Sequence, residues 1–357
     1  MQINCELTLK VIAELQKKNI KCYVVGGYVR DSLLKCSSKD IDIELHNTTA
    51  QAAYEIIQTI TPANYYGKFG IIALEQANTE FAIARQEVKS GVLHTDFDVE
   101  FILDGDLKLA ASRRDFTINS MMYDLQTDQL IDFYGGQADL QHQILRHVSP
   151  RFSEDPLRIL RGIKFMARYD LQIDPETDKL CQKIIEDLRH LPKSRIENEL
   201  SATFTAKYFK TAAPLLTKYL NLLFDQELIA TNLSVNGIPQ LQFFRQFPDY
   251  AAVIDFCFEQ KRVKSDLKLT LDNFEAIENY HTLSGEAQYN LFKQLKFVTA
   301  YAFAINPCIE GAYSTFLELC EKYDGQYFLS QGISGKQISH EQIKVIGGKL
   351  DELRDNY

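Results

Sequence analysis

The sequence predicts an α+β chain: a small mixed sheet with helices in the first part, then helices alone to the end. Two observations carry this. Up to about residue 145, short apolar runs with strand character alternate with helical periodicity, and from Pro156 onward the helical period dominates while strand punctuation becomes sparse. The chain has 357 residues, enough for two or three compact units and a sizeable core. It contains no internal repeat and no low-complexity segment.

The elements follow in order. "KCYVV" (21–25) reads as a strand, residues 28–34 as a helix, and Gly26-Gly27 as the turn between them. "DIDIEL" (40–45), "GIIALE" (70–75) and "EFAIAR" (80–85) read as further strands. "TAQAAYEIIQTI" (49–60) reads as a helix opened by a threonine cap. Residues 85–112 read as a long loop, and loops of that length are usually functional. Downstream, "PLRILRGIKFMARY" (156–169), "PETDKLCQKIIEDLRHL" (175–191) and "IENELSATFTAKYF" (196–209) each read as one helix.

Composition narrows the class. At 45% hydrophobic and 24% charged the chain is ordinary for a soluble protein, and with no charged-then-apolar leader and no apolar run near 18 residues, neither secretion nor membrane spanning is expected. Seven cysteines, scattered and never in C-x-x-C, read as reduced, mostly buried thiols of a cytoplasmic protein, with no zinc site. The net charge of −9 argues against non-specific nucleic-acid binding. Residues 141–220, however, hold 14 Lys/Arg against 10 Asp/Glu, a local excess that could grip a phosphate backbone or simply form a solvated helical face.

Two glycines at a strand-to-helix turn permit positive φ and a close backbone approach, and the following helix aims free N–H groups at the same place. Arg30, one turn on, could reach an anion there; a tight turn with a solvent-facing arginine is the alternative. Asp40 and Asp42, two apart on a strand, share a face. Side by side they repel, which suits a cation between them, and Mg²⁺ is commonly held by carboxylates together with substrate phosphates. Glu80 at the start of another strand supplies a third acid. A solvated strand edge is the competing reading for the pair.

The combination "VVGGYVRD" and "DID", with "RRDFTINSMMYD" (113–124), "LIDFYGGQADL" (130–140) and "ILRHVSPRFSEDPLRILRGIKFMARY" (144–169), resembles the class II tRNA nucleotidyltransferases and bacterial poly(A) polymerases. The resemblance covers roughly residues 20–170. It implies a nucleotidyltransferase head of the polymerase-beta type over 1–145, a helical neck that recognises the base over 146–205, and an RNA-binding helical body and tail over 206–357. It implies template-independent addition of C, C and A from CTP and ATP to a tRNA 3′ end, with Mg²⁺ as cofactor and with neither membrane nor DNA as partner. Asp40 and Asp42 would hold the metal, and Glu80 would assist the attacking hydroxyl. Gly26, Gly27, Arg30, Arg114 and Arg161 would hold the triphosphate, with Lys164 extending that basic face.

Asp115 and Asn119 would lie near the ribose, where they suit its hydroxyls; a helix cap is the alternative for Asp115. Asp155 and Arg158, at i and i+3 of a helix, would read the base: an acceptor and a donor in that order match cytosine and adenine and refuse guanine and uracil. Asp155 before Pro156 fits a helix N-cap equally well. There are departures from the family pattern. Phe133 stands where proline is frequent, and Lys164 where arginine is. None of the seven histidines is followed by aspartate, so the metal-hydrolase domain of longer relatives is not expected. The long loop 85–112 favours CCA or A addition over CC addition alone. The rivals are an A-adding enzyme or poly(A) polymerase, and a non-catalytic RNA-binding protein built on a decayed head.

Overall fold

The apolar run 21–25 forms β1 (Lys21–Val25), central in a sheet and buried from Cys22 to Val25, as expected of a strand covered on both faces. The structure is a computed structural model that describes residues 1, 3–38, 40–89, 97–101, 106–226, 228, 239–295 and 299–354. After β1 come β2 (Ile41–His46), β3 (Asn64–Tyr66), β4 (Ile71–Leu74), β5 (Thr79–Ile83), β6 (Arg85–Lys89), β7 (Phe97–Phe101), β8 (Met122–Asp124) and β9 (Gln129–Ile131). Among the described residues seven of these make one mixed sheet in the order β3-β4-β5-β2-β1-β8-β9. Its one parallel pairing is β2 with β5, which sets Asp42 beside Glu80. Two differences from the sequence reading matter. β2 starts at Ile41, so Asp40 lies just outside the strand, and the expected loop 85–112 contains an antiparallel pair, β6 with β7, and a helix. The rest of that loop reading, residues 90–96 and 102–105, lies outside the described residues.

The strand period sorts the sheet's two faces. Cys22, Val24, Ile43, Leu45, Phe81 and Ile83 point to one face, which is apolar and buried. Helix α1 (Glu6–Lys17) packs there, with Thr8 hydrogen-bonded to Thr79 at 2.7 Å. Helix α2 (Gly27–Leu33) follows the Gly-Gly turn, and α3 (Ala50–Gln58) is opened by the Thr49 side chain accepting from the Ala52 amide. The opposite face begins apolar, where Tyr23, Val25, Ala84 and Met122 cluster with Ala110 and Ala111 of α4 (Leu107–Ser112). Along β2 that face turns polar: Asp42, Glu44 and His46 alternate with the isoleucines and leucine.

Next come α5 (Thr117–Ser120), α6 (Gly136–Gln141), the short parallel pair β10 (Ile144–Leu145) with β11 (Gln172–Ile173), and α7 (Leu157–Tyr169). Helix α7 is amphipathic: it buries Ile159, Leu160, Ile163 and Met166 and turns Arg158, Arg161, Lys164 and Arg168 away from that stripe. Gly162 lets it approach the Phe116 ring, since a Cβ there would sit 3.0 Å from Cζ. α8 (Pro175–Lys183) is capped by Asp174 but gives way at Ile184 to a 3-10 turn, and the helix expected over 196–209 is broken into α9 (Lys193–Phe204) and α10 (Phe209–Phe224).

The chain forms two compact units. The first comprises Met1–Leu191 and Thr205–Leu216, so the expected head and the first neck helix share one core. The second comprises Pro192–Phe204 and Thr217–Tyr357 and is helical throughout its described residues. Its α9 supplies Glu197, a buried carboxylate that accepts from the amides of Glu259 (2.7 Å) and Gln260 (3.2 Å) and so caps the helix Lys261–Asp272. Gly285 and Gly347 let two further helices touch through backbone: a Cβ on Gly285 would fall 1.8 Å from the Gly347 carbonyl oxygen.

Candidate active site

The polar half of the sheet face is built on β2. Asp42 is partly buried, with Val25 opposite it on β1 and Glu80 beside it on β5. Burial raises the Asp42 carboxyl above the ordinary aspartate range; Arg114 pulls against that rise and Asp40 adds to it. Glu80 is raised as well, first by desolvation and then by the charges of Asp42 and Asp40. The three carboxylates therefore repel one another across one patch, with Asp40 and Glu80 exposed. A divalent cation would relieve that repulsion. Among the described residues no three His, Cys, Asp or Glu side chains converge closely enough to hold an ion alone, so the donor set here suits a hard cation completed by water and substrate oxygens.

The turn before α2 borders this patch. Gly26 has φ +70°, a conformation that favours glycine, and a Cβ on it would lie 3.1 Å from Arg114 Nη1 and 3.6 Å from Asp42 Oδ2. Turn, arginine and carboxylate thus meet at one point. Arg114 is held from behind by Glu44, whose Oε2 lies 3.3 Å from Arg114 Nη2 and 3.6 Å from Arg113 Nη2. Glu44 Oε1 is bonded to His46 Nε2 at 3.0 Å. Glu44 is 1% exposed; burial alone would raise its carboxyl, but the His46 hydrogen bond and the two arginines bring it down to about 2. The sequence reading missed Glu44 and His46. Their signal was the continued alternation D-I-D-I-E-L-H, which puts them on the same face as Asp42.

Other expected residues stand differently. Arg30 lies beside the turn, with Nη2 3.4 Å from where a Gly27 Cβ would stand, but it is enclosed there. It is 4% exposed, and its guanidinium donates to Asp31 (2.8 Å), Asn119 (2.5 Å) and the Tyr169 hydroxyl (2.6 Å) while lying over the Tyr169 ring. A solvent-facing arginine does not describe it; three polar partners and an aromatic face hold it inside. Asp115 and Asn119 are likewise buried and bonded to each other at 3.0 Å. Arg161 donates to Asp115 at 2.8 Å. Burial would raise the Asp115 carboxyl, yet Arg161 and Asn119 hold it below the usual range. One polar chain, Asp31–Arg30–Asn119–Asp115–Arg161, therefore ties α2, α5 and α7 together.

Asp155 and Arg158 are half-buried. Asp155 accepts from the Leu157 amide at 3.0 Å, the capping geometry weighed above. Arg158 donates to the carbonyls of Arg151 (2.8 Å) and Arg113 (2.7 Å), which uses two of its five N–H groups and ties the loop bearing Arg113-Arg114 to α7. Lys164 lies against the Phe165 ring at 5.5 Å. Phe133 is 40% exposed beside Asp132, whose carboxylate accepts from the Gly136 amide. Three of the seven cysteines are buried, fewer than expected. Among the described residues no helix is long and apolar enough to cross a membrane.

Known proteins agree with this architecture. Residues 22–146 match the family described as the poly A polymerase head domain. The "Multifunctional CCA protein" of Actinobacillus pleuropneumoniae serotype 5b (strain L20) is 38% identical over 191 residues, covering 52% of this chain and 45% of that protein. The protein of the same description from Haemophilus ducreyi is 37% identical over 200 residues, 55% of this chain and 46% of its own. The chain thus spans about half the length of the curated relatives it matches. Among solved structures, a CCA-adding enzyme in apo form II superposes with a TM-score of 0.71 at 24% identity, over 97% of this chain and 92% of that one. The Thermotoga maritima CCA-adding enzyme complexed with tRNA gives 0.70 at 24% identity, over 97% and 91%. Residues 22–146 are similar to the poly A polymerase head domain, and the chain as a whole has the fold of these solved CCA-adding enzymes.

Proposed function

We propose that this chain is a template-independent tRNA nucleotidyltransferase that adds C, C and A, from CTP and ATP, to the 3′ end of tRNA in the cytoplasm. One observation carries the reading: Asp42, Glu80, Arg114 and the positive-φ Gly26 meet on one sheet face, a set suited to a metal–triphosphate. The relatives that bear CCA names, and the solved neighbour bound to tRNA, support the choice of RNA.

Asp40 and Asp42 hold Mg²⁺, and Glu80 completes the acidic patch toward the attacking hydroxyl. When bound, the ion neutralises charge as the RNA 3′-hydroxyl displaces pyrophosphate in line. Gly26 and Gly27 leave room for the phosphates against the turn, and Arg114 offers them its outer nitrogen. Arg30, Asp115, Asn119 and Arg161 act by fixing α2, α5 and α7 around that site. Asp155 and Arg158 sit at the start of α7, where Asp155 accepts from a base amine and Arg158 donates to the neighbouring ring nitrogen. The second unit takes the duplex part of the RNA by shape and backbone.

The test is incubation with CTP, ATP and Mg²⁺ and a tRNA ending at its discriminator base. Two C residues and one A, followed by arrest, are expected. A long A tail on the same substrate would make the protein a poly(A) polymerase, and no incorporation with intact RNA binding would make it a non-catalytic binder. Asp42→Ala should abolish incorporation while leaving the melting curve in place. Wild-type incorporation by that variant would remove the metal assignment.

A further inference from the structure

We propose that Glu44 is a positioning residue for the nucleotide site: its buried carboxylate draws Arg114 off Asp42 and aims the free arm of the guanidinium at the Gly26 turn. The proposal rests on the reading of Arg114 as a phosphate-binding arginine.

Arg114 has two anionic neighbours on β2, Asp42 and Glu44, two residues apart on one face. That spacing is roughly 6.5 Å along a strand, and of the two it is Glu44 that lies within ion-pair distance of the guanidinium. Pairing with Asp42 would cover a proposed metal ligand and place a positive charge where the cation belongs. The arginine sits with Glu44 instead: Nη2 is 3.3 Å from Oε2, while Nη1 lies 3.1 Å from where a Gly26 Cβ would stand. One arm of the fork is therefore held and the other is presented at the turn.

Glu44 can do this because its own geometry is fixed. His46 Nε2 binds the other oxygen at 3.0 Å, and His46 is fully buried with its ring edge-on to Tyr23 at a centroid distance of 5.4 Å. The carboxylate cannot rotate without breaking that bond. Arg113, 3.6 Å from Oε2, places a second cationic side chain against the same oxygen. A buried carboxylate confined in this way also reduces the reorganisation needed when a triphosphate arrives.

The test measures ATP binding to the full chain in EDTA, by calorimetry, beside a melting curve. Glu44→Gln is expected to weaken ATP about tenfold or more, and Arg114→Ala by a similar factor. The double variant should bind no more weakly than Arg114→Ala alone, because Glu44 acts through that arginine. In turnover, Glu44→Gln should raise KM for CTP and ATP alike and leave the preference between them unchanged. A folded Glu44→Gln protein with wild-type ATP affinity, or losses that multiply in the double variant, would overturn the proposal. If Glu44→Gln does not fold, Glu44→Asp keeps the charge but withdraws it by one methylene. Weakened ATP binding in that variant supports the proposal, and wild-type affinity overturns it. If Arg114→Ala itself binds ATP normally, the nucleotide-site reading fails, and this proposal with it.

Discussion

At the scale of single residues, Gly26 and Arg30 are four positions apart and are asked for opposite things. Gly26 must keep a φ of +70° and leave space for Arg114 Nη1. Gly26→Ala should cost about 1–2 kcal/mol in backbone strain and push the arginine aside, lowering ATP affinity as well as the melting temperature. Arg30 serves the fold: its fork satisfies Asp31, Asn119 and Tyr169, and lysine cannot reproduce three directed bonds. Arg30→Lys should therefore lose about 1–3 kcal/mol of stability with little change in nucleotide KM once folded. A raised KM at unchanged melting temperature would return Arg30 to the phosphate site. The sequence could not show which way Arg30 faces, because Asn119 and Tyr169 lie 89 and 139 positions away. Glu44 and Asp115 bring a pH dependence. Both carboxyls are depressed by folding, so their stabilisation is full above the unfolded carboxyl range of about 4–4.5. It is lost as pH falls through the folded values, about 2 for Glu44. The stability difference between wild type and Glu44→Gln should shrink over that acid window and stay constant from pH 5 to 7.

At the scale of elements, α7 carries Arg158, with Asp155 just before its start, and Gly162 sets how closely it packs on Phe116. Gly162 lies in its interior, where alanine would raise helix propensity by about 1 kcal/mol. The added methyl, however, meets Phe116 Cζ at 3.0 Å and Leu145 Cδ2 at 3.3 Å, and Phe116 is itself wedged against Phe152 and Phe165. Overpacking of about 1–3 kcal/mol outweighs the propensity gain, so Gly162→Ala should lower stability in a denaturant titration. A stabilised variant would mean that Phe116 yields. Elements with a clear period and a local cap were legible in advance: β1, α7, and α3 with its Thr49 cap. The pair β6–β7 was not, because "RQEVK" holds a single apolar residue and exists as a strand through its partner. Nor was the break between α9 and α10, since "SATFTAKYF" carries no glycine or proline to announce it.

At the scale of the whole molecule, the candidate site lies within the first unit, while the second is helical in its described residues and acid-rich overall. The motifs were legible because they bring chemistry to a few sheet positions in one core. The second unit was opaque because a helical core of phenylalanines and tyrosines specifies packing and carries no reacting group. Its role can be separated from the site by a substitution that touches packing alone. Gly285 lies against the Gly347 carbonyl, so an added methyl must force the helices Gly285–Leu295 and Lys336–Arg354 apart. The cost is about 1–3 kcal/mol or more, since backbone yields less readily than a side-chain tip. If the second unit holds the duplex arm of the tRNA, Gly285→Ala should raise KM for tRNA and weaken tRNA binding while ATP binding stays at the wild-type level. Wild-type tRNA binding should also fall steeply between 50 and 200 mM salt, by roughly tenfold or more for a few phosphate contacts. Equal losses of ATP and tRNA binding would show that the two units stand or fall together. Unchanged tRNA binding in a measurably destabilised Gly285→Ala protein would move the RNA contacts out of this unit, toward the basic face of α7 that carries Arg161, Lys164 and Arg168.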